Sequence, residues 1–429
     1  TLATWRAKFI WDSLDKPPAE RSLLFKLDLC LLTLASLGYM IKNLDATNIT
    51  QAYVSGMKED IGMHDNQYNT AIALWTVGYV LGQIPSNLVL TRVSPRIWIP
   101  LVEMTWSLLT LATYRVQTPQ QLFAMRFLIG LAESGFYPGM QYIMGSWYRG
   151  DELGKRSVIF HTAGGVGSII GGFLQASAFT HLSGVWGLAG WRWLMILCFL
   201  LSAPVAIAGA YLLIDMPWKA RANWLFTDAD LKLANIRLAK EGRAAAGRIT
   251  RTKVKRVMTS WHIWVLPWLF VFWNNAGGLA HVLPFWLASY NKPGEPPVYT
   301  IPQINLYPIP QTLVYIISAL IMAWTSDGWL EGRRWPAMLF GSSFNVLVAI
   351  GLLITPLYGS ERLRFTLYYL TGVSAGQSGL PFAWASEICT ADTEERSLVI
   401  AAMNRLSFMW NSWVPLIVWK QTDMPRYYF

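Results

Sequence analysis

The sequence predicts an all-α polytopic membrane protein made of two parallel sets of transmembrane helices. Three observations carry this. Of 429 residues, 53% are hydrophobic and only 14% are charged, a balance foreign to soluble domains of this length. The apolar residues gather into runs of roughly 20, the length that crosses a bilayer as a helix. The two ends of the chain also repeat. Asp151-Glu-Leu-Gly-Lys-Arg156-Ser157 resembles Asp392-Thr-Glu-Glu-Arg396-Ser397 at an offset of 240, and Gly130 has its counterpart in Gly372.

The elements follow in order. Residues 1–26 are polar and charged, carry no cleavable signal peptide, and read as a cytoplasmic segment trimmed at its start. Residues 27–214 hold six spans: 27–49, 68–91, 97–114, 121–147, 158–182 and 191–214. Each stops at charges or turn residues, such as Lys58-Glu-Asp60, Pro95-Arg96, Arg115 and Arg149-Gly-Asp151. Residues 215–260 form the one long connection, with eleven Lys and Arg. Within it, Thr227-Asp-Ala-Asp230 resembles a capping box ahead of Leu231, Ala234 and Leu238. It predicts a short amphipathic helix lying on the cytoplasmic membrane surface. Residues 261–429 hold five more spans: 261–290, 304–325, 335–357, 363–389 and 398–419.

With the N-terminus in the cytoplasm, 24 of the 35 Lys and Arg fall on the cytoplasmic side, eight on the other, and Lys42, Arg126 and Arg405 inside spans. This satisfies the positive-inside rule. Many of the 23 tryptophans stand at span ends, including Trp98, Trp147, Trp191 and Trp261, as an interfacial belt requires. The net charge of +10 does not point to nucleic acid, because the basic residues lie in short loops between apolar runs. Cys30, Cys198 and Cys389 show no metal-ligand spacing, and no nucleophile–base pair stands out, so neither a metal, a cofactor nor an enzyme is expected. Asn48-Ile-Thr50 matches a glycosylation sequon but sits at a span end, too near the membrane to be modified.

Span 121–147 carries the most informative charges. Arg126 and Glu133 are seven residues apart, two turns at ~3.6 residues per turn, and therefore share a face about 10 Å apart along the axis. Tyr137 and Gln141 continue that face. Charged groups inside a bilayer are costly and normally mark an ion or substrate path. The bland reading is a buried network that only locks helices together. In the first span, Asp45 falls at a depth similar to Arg126 and can pair with it, with Lys42 one turn away. Burial drives a carboxylate toward its neutral form, and a nearby cation drives that carboxylate back toward its charged form, which is what proton coupling needs. Glu133 near mid-membrane suits that role, and Asp45 suits a gate or second proton site. Trp273 and Asn274, followed by Gly277-Gly278, can line a cavity where a helix breaks, as can Asn404 and Arg405. His161 and His281 are read as structural.

Six spans, a long cytoplasmic loop and a parallel second set describe the major facilitator architecture. The chain resembles that superfamily, and within it the fungal anion:cation symporters of the allantoate permease type. The residues that carry the resemblance are Gly82-Gln-Ile-Pro85-Ser-Asn87 with Arg92 and Pro95-Arg96, then Arg126, Gly130, Glu133 and Pro138-Gly139. Gly164-Gly165-Val-Gly167 with Gly171-Gly172, and Ser326-Asp327-Gly328 with Gly332-Arg333-Arg334, complete them. Lys42-Asn-Leu-Asp45-Ala-Thr-Asn48-Ile resembles the pantothenate and biotin transporter branch. The resemblance implies two six-helix bundles, with a twelfth helix beyond Phe429. It implies Asp327, Arg333 and Arg334 as a conformational latch, and a monomer in the lipid bilayer of the plasma membrane. It also implies proton-coupled symport of a small organic anion, with pantothenate favoured and biotin, nicotinate, allantoate or a sugar acid open.

Many relatives place Arg directly after the first-span Asp, where this chain has Ala46. The substrate carboxylate must then meet another cation. Arg126 offers a bidentate fork, Lys42 a compact charge, and Arg405 is the third candidate. Asn48, Tyr137, Gln141, Trp273, Asn274 and Asn404 are the expected polar contacts. A nutrient sensor that keeps the fold is the reading of another class.

Overall fold

The computed structural model describes residues 11–240, 251–276, 282–292, 294–330, 333–389 and 393–418. Helices dominate, and no strand occurs among the described residues. The first half holds α1 (Pro18–Asp60), α2 (Gln67–Arg92), α3 (Pro95–Thr113), α4 (Pro119–Glu133), α5 (Phe136–Trp147), α6 (Gly150–Ser177) and α7 (Gly190–Leu212). The connection holds α8 (Asp228–Lys240) and α9 (Arg251–Thr259). The second half holds α10 (His262–Ala276), α11 (Leu283–Ala288), α12 (Ile301–Leu306), α13 (Ile309–Gly328), α14 (Trp335–Ile354), α15 (Glu361–Ala375), α16 (Leu380–Ile388) and α17 (Thr393–Ile417).

Among the described residues, every expected span holds a helix or a pair of helices, and the pairs mark where one long span was expected. Span 121–147 breaks between α4 and α5 at Ser134-Gly135. Pro138 lacks the N–H that would continue the ladder, so the chain restarts with proline in the first turn of α5. Span 363–389 breaks in the same way between α15 and α16, ahead of Pro381. Span 304–325 is interrupted at Tyr307-Pro308. Residues 277–281, including Gly277, Gly278 and His281, lie outside the described residues.

Both halves use the same packing. In the first, α1 packs on α6, α2 on α4 and α3 on α7; in the second, α10 packs on α17 and α13 on α15. Two small residues permit the closest approaches. A Cβ at Gly130 would meet the Trp75 carbonyl on α2, and one at Gly167 would meet the Met40 carbonyl on α1. The halves meet along two seams, α2 with α17 and α6 with α13.

The connection is not a free surface helix. The capping box forms: the Thr227 amide donates to Asp230 at 3.0 Å, and the Asp230 amide donates to Thr227 Oγ1 at 3.3 Å. The apolar face of α8 is buried against protein instead of lipid, with Leu231 and Ala234 in the first half's core. Ion pairs hold it there. Lys26 Nζ is 2.7 Å from Asp230, and Arg237 pairs with the fully buried Glu152. Beside them Arg156 forks onto Asp28, at 2.6 and 2.9 Å. We call this end of the molecule the linker face, and the opposite end the far face.

Candidate functional site: a cavity between the halves and a charged cluster behind α1

A cavity of about 430 Å³ lies between the two halves. α1 contributes Tyr39, Asn43, Thr47, Gln51 and Val54, spaced so that one helical face borders the space. α6 contributes His161 and Ser168, and its Gly164-Gly165 pair keeps the wall thin. From the second half come Trp273 and Asn274 of α10, Asn305 of α12, Gln311 and Tyr315 of α13, and Ser374 of α15. Asn305 Nδ2 donates to Ser55 Oγ at 3.0 Å toward the far face. Toward the linker face, the Lys155 ammonium sits 5.9 Å over the Trp324 ring. The halves thus touch on both sides of the cavity.

The expected charges occupy the other face of α1. Lys42, Asp45 and Asn48 point into the first bundle, where Arg126 and Glu133 meet them from α4. All are buried; Glu133 is 0% and Asp45 2% exposed. Lys42 Nζ is 3.9 Å from Glu133 Oε2 and lies 4.9 Å over Tyr79 and 5.4 Å over Trp75. Arg126 stacks 5.8 Å from the same Trp75 ring. Asp45 Oδ1 accepts from Asn48 Nδ2 at 3.2 Å. The expected Asp45–Arg126 pair is not made: among the described residues no direct ion pair links them, and Asp45 Oδ2 and Arg126 Nε have no hydrogen-bond partner. Neither Arg126 nor Lys42 borders the cavity.

The other expected residues divide between these two places and the linker face. Trp273 and Asn274 line the cavity, and Asn274 Nδ2 donates to Ser407 on α17 at 2.7 Å. Asn404 and Arg405 are half-buried on α17 but do not border the cavity. Tyr137 and Gln141 sit inside the first bundle, 3.4 Å apart at their polar ends, with Tyr137 packed 5.3 Å from Tyr39. At the linker face Arg334 bonds Glu387 at 2.9 Å and Ser326 at 3.0 Å, while Arg333 is exposed. The side chain of Asp327 lies outside what the structure describes.

Sequence reasoning missed the neutral wall. Asn43, Thr47 and Gln51 recur every four residues along α1, on the face opposite Lys42 and Asp45, a pattern that could have identified the cavity face. It also missed Glu103, a buried carboxylate on α3 whose Oε1 has no partner. His262, Cys389 and Glu395 bring donor atoms within 4.8 Å of one another, but the His262 Nδ1–Glu395 Oε1 contact of 2.7 Å already joins two of them.

The family model described as Major Facilitator Superfamily matches residues 35–415. The chain is 36% identical over 415 residues to the pantothenate transporter FEN2 of Saccharomyces cerevisiae, covering 95% of this chain and 79% of that one. It is 32% identical to the pantothenate transporter liz1 of Schizosaccharomyces pombe, covering 95% and 78%. It is 30% identical to the vitamin H transporter of S. cerevisiae, covering 95% and 69%. Among solved structures, the D-xylose-proton symporter superposes with a TM-score of 0.64 at 13% identity, covering 92% of this chain and 90% of that one.

Proposed function

The chain belongs to the major facilitator superfamily, and on that premise we propose that it is a proton-coupled symporter of a small organic anion, a vitamin-type carboxylate such as pantothenate. The observation that carries the substrate class is the similarity, across 95% of the chain, to two fungal pantothenate transporters. The chain is a multi-pass membrane protein. We further propose a monomer in the plasma membrane with the linker face cytoplasmic, which the distribution of Lys and Arg supports.

The coupling runs through α1. Its two faces carry the two cargoes, substrate on one and proton on the other. With all four groups ionised, Lys42 and Arg126 balance Asp45 and Glu133, and the cluster has no net charge. Protonating Glu133 leaves it at +1, directly behind the wall of the cavity. A carboxylate in that low-dielectric space needs such compensation, or its desolvation is too costly. Anion and proton therefore favour one another, and loss of either weakens the hold on the other. Asp45 is the gate of this cluster or a second proton site, and Glu133 carries the coupled proton. Arg126 and Lys42 act through their charge and not by gripping the substrate. Asp327, Arg333 and Arg334 are proposed as the latch of the linker face.

The test is uptake of labelled pantothenate, biotin, nicotinate, allantoate and a sugar acid into proteoliposomes, with and without an inward proton gradient. Concentrative, gradient-dependent uptake of one acid is expected. Wild-type protein that moves none of them, or moves them equally without a gradient, would overturn the reading. A nutrient sensor would bind an acid without moving it.

A further inference from the structure

Among the described residues, the cavity wall contains no Lys, Arg, Asp or Glu. A substrate carboxylate must nevertheless meet a donor there, since charge compensation from behind α1 acts at a distance and fixes no orientation. Most lining groups are amides and hydroxyls, whose donors and acceptors are interchangeable between acid, alcohol and amide ligands. One is different. His161 borders both the main cavity and a small recess at its linker end, beside Val158 and Gly379. Its ring stacks on Tyr39 at 5.7 Å with planes 24° apart, and meets Tyr137 edge-on at 6.3 Å. These contacts hold the plane of the ring and leave its nitrogens at the edge. Neither nitrogen has a hydrogen-bond partner in the protein among the described residues. A polar ring clamped by aromatics, half-buried and open to the cavity, offers a donor that a ligand can meet in place of water.

We propose that His161 is the specificity-determining contact for the substrate carboxylate, donating a ring N–H to it at the linker end of the cavity. This rests on the symport reading above. The rest of the ligand then extends toward the far face, past Asn43, Gln51, Gln311 and Asn305, which suit hydroxyl and amide groups. The class of ligand is a small monocarboxylate carrying several neutral hydrogen-bonding groups. His161 selects the acid, and the cluster behind α1 supplies the charge.

Equilibrium binding to the purified full chain decides it, using two matched probes: pantothenate and pantothenol, in which a hydroxymethyl group replaces the carboxylate. Wild type is expected to prefer the acid. His161→Phe keeps the ring and its stacking but removes the donor. It should weaken acid binding about tenfold or more and change alcohol binding less than about twofold, a tenfold change being ~1.4 kcal/mol. His161→Gln restores an N–H donor and should recover much of the acid preference. An unchanged acid preference in His161→Phe overturns the proposal, as does equal weakening of both probes. Should His161→Phe bind neither probe, His161→Leu and His161→Met are read the same way; loss of alcohol binding in all three assigns His161 a structural role and overturns it. No gradient enters this measurement. Wild type that binds acids but never accumulates them defeats only the symport reading. A His161→Phe protein that keeps the acid preference and still accumulates the acid defeats only this one.

Discussion

Replacing Glu133 by Gln tests how proton and anion are linked. Glu133 is fully buried, 3.9 Å from Lys42, and stands across α1 from the cavity. The substitution keeps shape but fixes the neutral state, so the cluster holds +1 permanently. A helix with its side chains is ~10 Å across, so that charge acts on a carboxylate over about 10 Å. At an effective dielectric of ~20 the interaction is about 1.7 kcal/mol, or roughly 15-fold in affinity. Wild-type affinity for the acid should therefore rise by about 15-fold as Glu133 takes its proton. Glu133→Gln should sit at the tight end and stay flat with pH. It should also lose uphill transport, because an amide cannot carry a proton. A gradient of two pH units can drive an accumulation of about 100-fold when one proton moves with each anion, since each tenfold step is ~1.4 kcal/mol. The variant should equilibrate at a ratio near one. The assay is labelled-acid uptake in proteoliposomes with and without the gradient, with counterflow exchange as the control that the protein still cycles. Uphill accumulation by Glu133→Gln, or an affinity that still follows pH, would refute the linkage through this residue.

Three further outcomes follow. Lys42→Ala leaves the cluster at −1, or neutral once Glu133 is protonated, so its best acid affinity should reach only the wild type's weak, high-pH level, about 15-fold below the wild type's best, whereas Arg126→Lys preserves charge and should stay within about threefold. The opposite order in binding assays would restore a direct grip by Arg126. At the linker face, partial burial pushes the Asp230 carboxyl up, but the Lys26 and Thr227 hydrogen bonds outweigh it and hold it below its ordinary 3.8. A lowered value adds stability above the ordinary value and loses it as pH falls through the folded one. Hydrogen exchange across α8 should stay slow at pH 5–7 and speed up below about pH 4, and Asp230→Asn should remove that pH step. Gly167→Ala drives a Cβ into the Met40 carbonyl and should destabilise the α1–α6 contact by about 1–3 kcal/mol, read as a lower melting temperature.

The fold was legible because it rests on length and apolarity alone. A bilayer demands long apolar helices, and the runs from 27 to 419 announce themselves. The duplicated loops at Asp151 and Asp392 disclosed the repeat. The helix breaks were less visible, although Pro138, Pro308 and Pro381 mark them, because proline is also tolerated inside membrane helices. The site was half legible. Lys42, Asp45, Arg126 and Glu133 stand out as charges in apolar surroundings, and the structure gathers them. Sequence spacing says which residues share a face of α1, but not which face meets the cavity. That depends on packing against α6 and the second half, through contacts such as Gly167 on Met40 and Asn305 on Ser55. The charged face therefore drew attention while Asn43, Thr47 and Gln51 form the wall. His161 was passed over because a lone histidine in an apolar span carries no sign of its partners. Its lack of a hydrogen bond is visible only in three dimensions.

The most direct measurement follows the proton itself. Proteoliposomes containing the purified protein and a pH-sensitive dye in the lumen are given external pantothenate with no imposed gradient. Lumen acidification that keeps pace with labelled pantothenate entry is expected, and it should vanish in Glu133→Gln while exchange persists. Entry of pantothenate with no change in lumen pH would contradict proton-coupled symport.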